Sequence, residues 1–569
     1  MRRTLIILFT VILVVLACSL VSCGNGTDKG AETTRTETTR TESAGLEFVS
    51  NGDGTCSVSG IGDCTDADVV IPLRSSAGES VTGIKERAFK DCKTVTSVFI
   101  PESVKTVGRF AFYNCTALTS AVISDGVETI GEDAFHGCST LASVSLGEGV
   151  TGLSENCFYN CAALTSFTVP AGVKSVGTAT FFGCSGLASV TIPDTVTSIG
   201  DRAFSGCASL PSVVVPDSVK SIGSGAFAGC AGLESITLPF LGAKEESTVP
   251  GEDVFVYIFG SQKYDGGTKV ESWYTDSSGY ARNLSRYVPS LLKKITVTGG
   301  EIGEDAFFNC AGLTEINLPD GIETIGEYAF AGCTGLRTIR LPETVTTIER
   351  YAFAGCSELQ TVVLPETLER IYAYAFENCE KLNLTLPAGI MLVGLGAFAG
   401  CNSLSSTIVV GKYLSLIEPK AFGRLPQLTG FVVDDKNVRY FSDGNCLIEM
   451  ETGILVAGSS TGTIPTDGSV IAIGDCAFEG FVGLTSITIP NGVMRIGFGA
   501  FVDCEALASI TIPASVTTIG PWVFVGCSAL TSIHYQGTVE QWEAIDKGDW
   551  WDHQTGDYTV YCTDGNLSK

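Results

Sequence analysis

The side chains with chemistry to offer fall on a beat. Cys92, Cys115, Cys138, Cys161, Cys184, Cys207 and Cys230 recur every 23 residues. Each lies three places after a phenylalanine: Phe89, Phe112, Phe135, Phe158, Phe181, Phe204 and Phe227. The beat resumes at Phe307, Phe330, Phe353, Phe376, Phe398 and Phe422, and again at Phe478, Phe501 and Phe524. In a secreted chain, 22 cysteines would ordinarily suggest disulfides. Equivalent side chains of stacked units point the same way rather than at each other, so the periodic cysteines read as free, buried, small apolar residues. No Cys-x-x-Cys occurs, and Cys157 stands where other units carry Ala, a core substitution rather than a metal ligand. Cys56 and Cys64 break the period, and the sequence leaves open a disulfide between them.

Other catalytic chemistry is sparse. The only histidines are His136, His534 and His553, none beside a nucleophile motif, and no phosphate-binding loop occurs. These features point away from an enzyme. His534 takes the place of an outward Thr and reads as a pH modulator of binding or as a silent surface residue. Carboxylates follow the strand prolines at Glu102, Asp194, Asp217, Asp320, Glu343 and Glu366. Stacked at one-unit spacing they could recruit calcium, but turns favour such residues anyway and calcium needs more oxygens per site. No other cofactor is implied.

The element that must position these groups is the repeat itself: Leu-x-x-Ile-x-Ile-Pro-x-x-Val-x-x-Ile-Gly-x-x-Ala-Phe-x-x-Cys. In Leu187–Pro193, Val190 and Ile192 share one face of a strand while Ser189 and Thr191 face away. Pro193 ends the pairing. Val196, Ile199, Ala203, Phe204 and Cys207 fill the interior, and Gly200 is read as a residue that permits a turn. One unit cannot bury its apolar side alone, whereas a stack can. The expected fold is a repeat solenoid, a right-handed, β-rich coil stack with a parallel sheet along one side and capped ends. Its 16 phenylalanine positions predict a length of roughly 80 Å at the inter-strand spacing.

These strands, the Ile-Gly-x-x-Ala-Phe-x-x-Cys turns and the period resemble the leucine-rich repeat superfamily in its BspA-like bacterial surface-protein branch, over about residues 46–562. The resemblance implies adhesion, to host matrix or plasma proteins, to other bacteria or to mucosal surfaces. The expected ligand face is the outward strand positions. These are Ser143, Ser145, Ser166, Thr168, Ser189, Thr191, Ser235 and Thr237, then Glu315, Asn317, Thr338 and Arg340, then Ser486, Thr488, Ser509 and Thr511. They form a flat field of hydroxyls with few charges, suited to a long polymer or an extended protein; the β-propensity of Thr explains them equally without a ligand. Two alternatives remain: a glycan-binding surface lipoprotein, and a structural envelope protein.

Residues 1–22 read as a secretion signal, with Arg2 and Arg3 ahead of an apolar run from Leu5 to Ala17; a membrane-spanning anchor is the alternative, for which the run is short. Leu20-Val21-Ser22-Cys23 resembles the bacterial lipobox, which implies diacylglycerol on Cys23 and cleavage before it. Gly24 follows, so nothing resembles the Asp-dependent inner-membrane retention signal. The expected location is the bacterial cell surface, lipid-anchored, and the outer membrane if the cell is Gram-negative. The formal charge of −27, from 62 acidic and 35 basic residues, argues against nucleic acid as a partner.

Composition divides the rest. Residues 23–45 are a Thr-rich tether with little to bury. Residues 46–72 are an N-terminal cap whose Asn51-Gly52-Asp53-Gly54 reads as a hairpin turn. Repeats occupy 73–239, 292–428 and 470–532. Residues 240–291 are an aromatic-rich insertion expected to bulge from an edge; Tyr257, Trp273, Tyr274 and Tyr280 read as a contact site or as part of a local mini-core. Residues 429–469 are an irregular β insertion, and 533–569 a C-terminal cap. There Trp542, Trp550 and Trp551 read either as covers for the last coil or as a sugar platform.

Overall fold

Each repeat folds as one turn of a solenoid with two strands and a tight third edge. The structure is a computed structural model that describes residues 40–244, 255–275 and 281–569. About 21 turns stack with a period of roughly 23 residues, and Glu42–Lys569 form one unit. Tyr280 and Cys23 lie outside the described residues.

The first strands of nearly all turns build the expected parallel sheet, in register at one-repeat offset and in several hydrogen-bonded segments. Ser97 pairs with Ser120 and Ser120 with Ser143, Ser166 with Ser189, and Ser486 with Ser509. A second parallel sheet, absent from the expectation, is made of two-residue strands such as Ser175–Val176, Ser198–Ile199 and Ser221–Ile222. The third edge carries the Ala-Phe-x-x-Cys turn. Its backbone bonds run from coil to coil: Phe89 N–H donates to Ala111 O at 2.7 Å and Phe181 N–H to Ala203 O at 2.7 Å.

Inside, the phenylalanines form a ladder. From Phe89 to Phe227 successive ring centroids lie 4.8–5.6 Å apart and within 11° of parallel. The sequence assigns Gly200 to turn freedom, and the structure corrects the reason. Its φ is ordinary, but an added Cβ would lie 2.6 Å from Thr178 N in the preceding coil. The glycine is there because two coils approach closely.

Both interruptions keep the stack closed. Ser235–Leu238 pairs directly with Lys294–Val297, so the sheet passes over the first insertion without a gap. On the opposite edge, a 3-10 helix from Phe255 to Phe259 replaces a repeat turn. Phe227 N–H donates to Ile258 O at 2.9 Å, and Phe255 N–H to Ala306 O at 3.0 Å. The Phe255 and Phe259 rings carry the ladder on, with Phe255 5.4 Å from Phe307. This part of the insertion is core rather than bulge. Beyond it, two antiparallel strands are described, Gly267–Thr275 against Ala281–Pro289, whose Val270 and Val288 are buried.

In the second interruption, Cys446–Glu449 pairs antiparallel with Tyr440–Asp443 and with Ile454–Ala457, and the last of these joins the second sheet. Gly458 occupies the ring position: its N–H donates to Ala477 O at 2.7 Å, and an added Cβ would sit 2.1 Å from the Phe478 ring. Where the turn is skipped, an ionic clasp joins the flanking coils. Lys420 Nζ and Arg424 Nε lie 3.0 and 3.1 Å from Glu479 Oε1, and Arg424 Nη2 lies 2.6 Å from Asp503 Oδ2. The Glu479 side chain is 3% exposed, so it depends on these cations.

The ends are covered. The expected hairpin forms, Glu47–Ser50 against Thr55–Gly60, and Asp53 Oδ1 accepts from Thr55 N–H at 3.0 Å in its turn. Ahead of it, Ser43 is buried and its Oγ accepts from Val70 N–H at 3.0 Å, so seated chain already begins within residues 23–45. At the other end a capped helix, Val539–Glu543, buries Trp542, and Trp551 packs edge-on to Phe524 at 6.0 Å.

Replacing Phe204 by Ala removes one rung of a fully buried ladder. The expected loss is about 3–5 kcal/mol by urea denaturation. Because each coil touches only its neighbours, hydrogen exchange should accelerate around Phe181 and Phe227 and stay unchanged around Phe501.

Candidate binding surfaces

The outward positions of the first sheet stand in two columns. One contains Ser97, Ser120 and Ser143, then Ser166 and Ser189, Ser212 and Ser235, and continues through Lys294, Glu315, Thr338 and Thr361. The other contains Ser145, Thr168, Thr191, Thr237, Thr296, Asn317 and Arg340. In the last array Ser486 and Thr488 pair with Ser509 and Thr511, and the columns run on through Ser532 and His534 to Thr559 and Tyr561. All sixteen positions expected on the face lie on this sheet, half-buried or exposed.

The hydroxyls on this face differ from those at the turns. Thr119 Oγ1 donates to Thr96 O at 2.9 Å and Thr197 Oγ1 to Lys174 O at 3.0 Å, tying each coil to the one before. The Ser166, Thr168, Ser189, Thr191, Ser486 and Thr488 side chains make no such bond and are exposed. Charge lies at the N-terminal end, where Asp68 accepts from Ser97 Oγ at 2.7 Å, and in the middle. Lys294 Nζ lies 2.6 Å from Glu315 Oε1, and that bond holds the Glu315 carboxyl below its usual range. Asn317 Nδ2 donates to Thr296 Oγ1 at 3.2 Å, and Arg340 Nη2 to Glu343 Oε1 at 3.3 Å.

The sequence reading missed apolar members of the second column. Val214, Val363, Val409 and Val432 are 45–62% exposed at outward positions, and Val409 pairs directly with Val432. The signal was present: each stands at the same repeat position as Thr191. Near Val409 the sheet breaks. The coil at Asn383–Leu386 is one residue short before its proline and forms no strand. Leu384, Leu386, Phe398, Leu404, Ile408 and Phe422 line a shallow apolar cleft there.

The remaining candidates scatter. Tyr257 is half-buried against the core. Trp273 and Tyr274 lie in the strand Gly267–Thr275. Trp542 is buried, Trp551 half-buried and Trp550 exposed, so the three do not form one platform. His534 stacks on Tyr561 at 5.1 Å. His136 is held between Tyr113 and Tyr159 at 4.7 and 4.5 Å, with Nδ1 2.8 Å from Asp133 Oδ1. Among the described residues no group of three or more His, Cys, Asp or Glu is placed to hold a metal ion. No described helix is long and apolar enough to cross a membrane.

All 20 described cysteines are free thiols, Cys56 and Cys64 included; Cys56 is buried and Cys64 half-buried. The periodic thiols are more than filler. Cys115 Sγ donates to Phe89 O at 3.0 Å, Cys138 to Phe112 O at 3.1 Å and Cys356 to Phe330 O at 3.1 Å, each reaching one coil back. The same carbonyl also accepts its own turn's Cys N–H, as Phe89 O does from Cys92 at 3.1 Å. A thiol suits the site because it is apolar enough to bury and still supplies a weak donor.

The fold is a β-solenoid of leucine-rich-repeat coils, a class of scaffold that presents a repeating surface. The chain belongs to the family described as BspA type leucine rich repeat region, whose model matches in six copies at residues 74–188, 151–244, 300–438 and 458–544. The intervals 245–299 and 439–457 between matches fall on the two interruptions. Similar solved structures include a leucine rich cell surface protein from Faecalibacterium prausnitzii (24% identity, 88% of this chain and 96% of that one, TM-score 0.31). A leucine-rich repeat protein from Bacteroides ovatus is 22% identical over 90% and 98% of the two chains, with a TM-score of 0.29. The pneumococcal vaccine antigen PcpA is 14% identical over 92% and 98%, with a TM-score of 0.26. No curated protein matches the chain.

Burial pushes the Cys184, Cys230, Cys310 and Cys401 thiols up to about 12 from an ordinary 9.0. Between those values the folded chain binds protons that the unfolded chain has released. Stability is therefore full below about pH 9 and falls as pH rises toward 12. Urea midpoints measured from pH 8 to 11 should decline above pH 9, and replacing Cys184 and Cys207 by Ala should flatten the decline while lowering the midpoint at pH 8.

Proposed function

We propose that the chain is a lipid-anchored bacterial surface protein that works by contact rather than catalysis, using the first sheet as its binding face. The reading is an adhesin for extracellular proteins, either of host matrix or plasma or of other bacteria. The observation that carries it is the set of outward hydroxyls without protein partners, held in register on a rigid sheet, with exposed valines among them. Such a face offers many weak contacts to an extended partner, and these add by avidity. The family's repeat scaffold is consistent with protein binding.

The full chain should bind at least one of immobilised fibronectin, fibrinogen, collagen or mucin saturably. Thr168→Arg with Thr191→Arg should weaken that binding at least tenfold, and deletion of residues 267–289 should leave it intact. Binding that requires calcium would move the site to the carboxylate edge. No saturable protein binding would favour a structural role in the envelope.

Anchoring is tested separately. The signal 1–22 and the lipobox-like Leu20–Cys23 support diacylglycerol on Cys23, with the Thr-rich stretch after it as a spacer. Cys23→Ser should abolish incorporation of radiolabelled palmitate and move the protein from the membrane fraction to the soluble one; labelling that persists would remove the lipid anchor from this reading.

A further inference from the structure

Three aromatic columns reach the surface along the turn edge, and they differ in what they leave open. Tyr113, His136, Tyr159 and Phe182 stack face to face at 4.5–4.7 Å. Tyr328, Tyr351 and Tyr374 do the same at 4.8 and 4.9 Å, within 12° of parallel. In both, neighbouring rings use their facing sides on each other.

The third column, at the C-terminal end, is unlike them. Trp522 N–H donates to Asp549 O at 3.3 Å, which sets Trp522 and Trp550 at equivalent positions on successive coils, about 5 Å apart along the stack. Both backbones are left-handed, with φ of 65° and 58°, a costly conformation for a bulky residue. Trp522 is 47% exposed and Trp550 62%. The two indoles make no ring contact with each other. Phe498, 44% exposed, lies 6.4 Å from Trp522 and is tilted by 32° rather than stacked. Trp550 meets the exposed His553 ring edge-on at 4.8 Å. The structure thus leaves two large indoles partly exposed with no ring stacked on either, and with the exposed Asp549 and His553 beside them.

We propose that this edge is a carbohydrate-binding site for a neutral, linear glycan, distinct from the sheet face. The C–H face of a pyranose is apolar with slightly positive hydrogens, which suits the negative face of an indole. Its equatorial hydroxyls need donors and acceptors at the rim, which His553 and Asp549 supply. Indoles on successive coils suit a chain laid along the stack, one sugar against each ring. The net charge of −27, with Asp549 and Asp552 adjacent, disfavours sulfated or uronate-rich chains.

The test is binding of the full chain to xylan, mannan and β-1,3-glucan, with heparin as the anionic probe, read by isothermal titration and by quenching of tryptophan fluorescence. Saturable binding to at least one neutral polysaccharide is expected, lost at least tenfold in Trp522→Ala with Trp550→Ala and largely kept in Trp550→Phe. Thr168→Arg with Thr191→Arg, which tests the sheet face, should leave glycan binding unchanged. Should the double variant fail to fold by its melting curve, Trp550→Ala alone carries the test. Binding to none of the neutral polysaccharides, preference for heparin, or binding indifferent to the tryptophans would overturn the proposal. So would tryptophan variants that instead lose an immobilised protein.

Discussion

Everything in this chain depends on the contact between one Phe-x-x-Cys turn and the next. At that edge a phenyl ring lies on a phenyl ring, a backbone N–H reaches the next coil's carbonyl, and a thiol donates back to the Phe carbonyl behind it. The three terms share one geometry, and they fix the coil-to-coil distance as well as the rotation. At Gly200 no Cβ fits between backbones held so close, although Ser154, Glu349, Tyr372 and Glu418 take the equivalent position where neighbouring coils leave room. Ala before Phe follows for the same reason: Ala203 is wholly enclosed beside a ring that needs the volume.

That constraint acts only on inward residues, which is why the outer faces are free to specialise. Along the first sheet, inward Ile236 and Ile295 keep their register across the insertion, while their outward neighbours change from Ser and Thr to Lys, Glu and Arg and then to Val. A change on the outside costs the core nothing, so one scaffold can carry a hydroxyl field, a charged patch and an apolar patch in series. The turn edge behaves likewise: the residue two places before Phe is left-handed in coil after coil, whether it is Asp133, Tyr328 or Trp522.

What the sequence revealed follows from the same division. The 23-residue beat located the buried Phe, Cys, Val and Ile positions and the outward strand positions, because stacking imposes one rule on every coil. It did not reveal the second sheet, whose two-residue strands exist only through neighbours. Nor did it reveal the thiol's role as a donor, since Phe89 O reaches Cys115 only in the folded stack. Phe255–Phe259 was hidden because it substitutes for a repeat turn without the repeat's spacing, and the exposed valines because attention to Ser and Thr passed over them. Trp522 was overlooked for a different reason: it lies within a regular repeat, where a large aromatic reads as core until its left-handed backbone turns it outward.

The interruptions show which part of the scaffold is indispensable. At the first, the chain leaves and returns with Ser235 beside Lys294, and a foreign helix supplies rings to the ladder. At the second, no ring is supplied. Gly458 yields its space to Phe478, and Lys420 and Arg424 close on Glu479 instead. Two unrelated local solutions thus serve one end: neighbouring coils stay in contact on the turn edge. A repeat face can present a continuous surface to a long partner only if no coil tilts away from the next. The buried ladder, rather than the exposed residues, is therefore what makes an extended binding face physically attainable here.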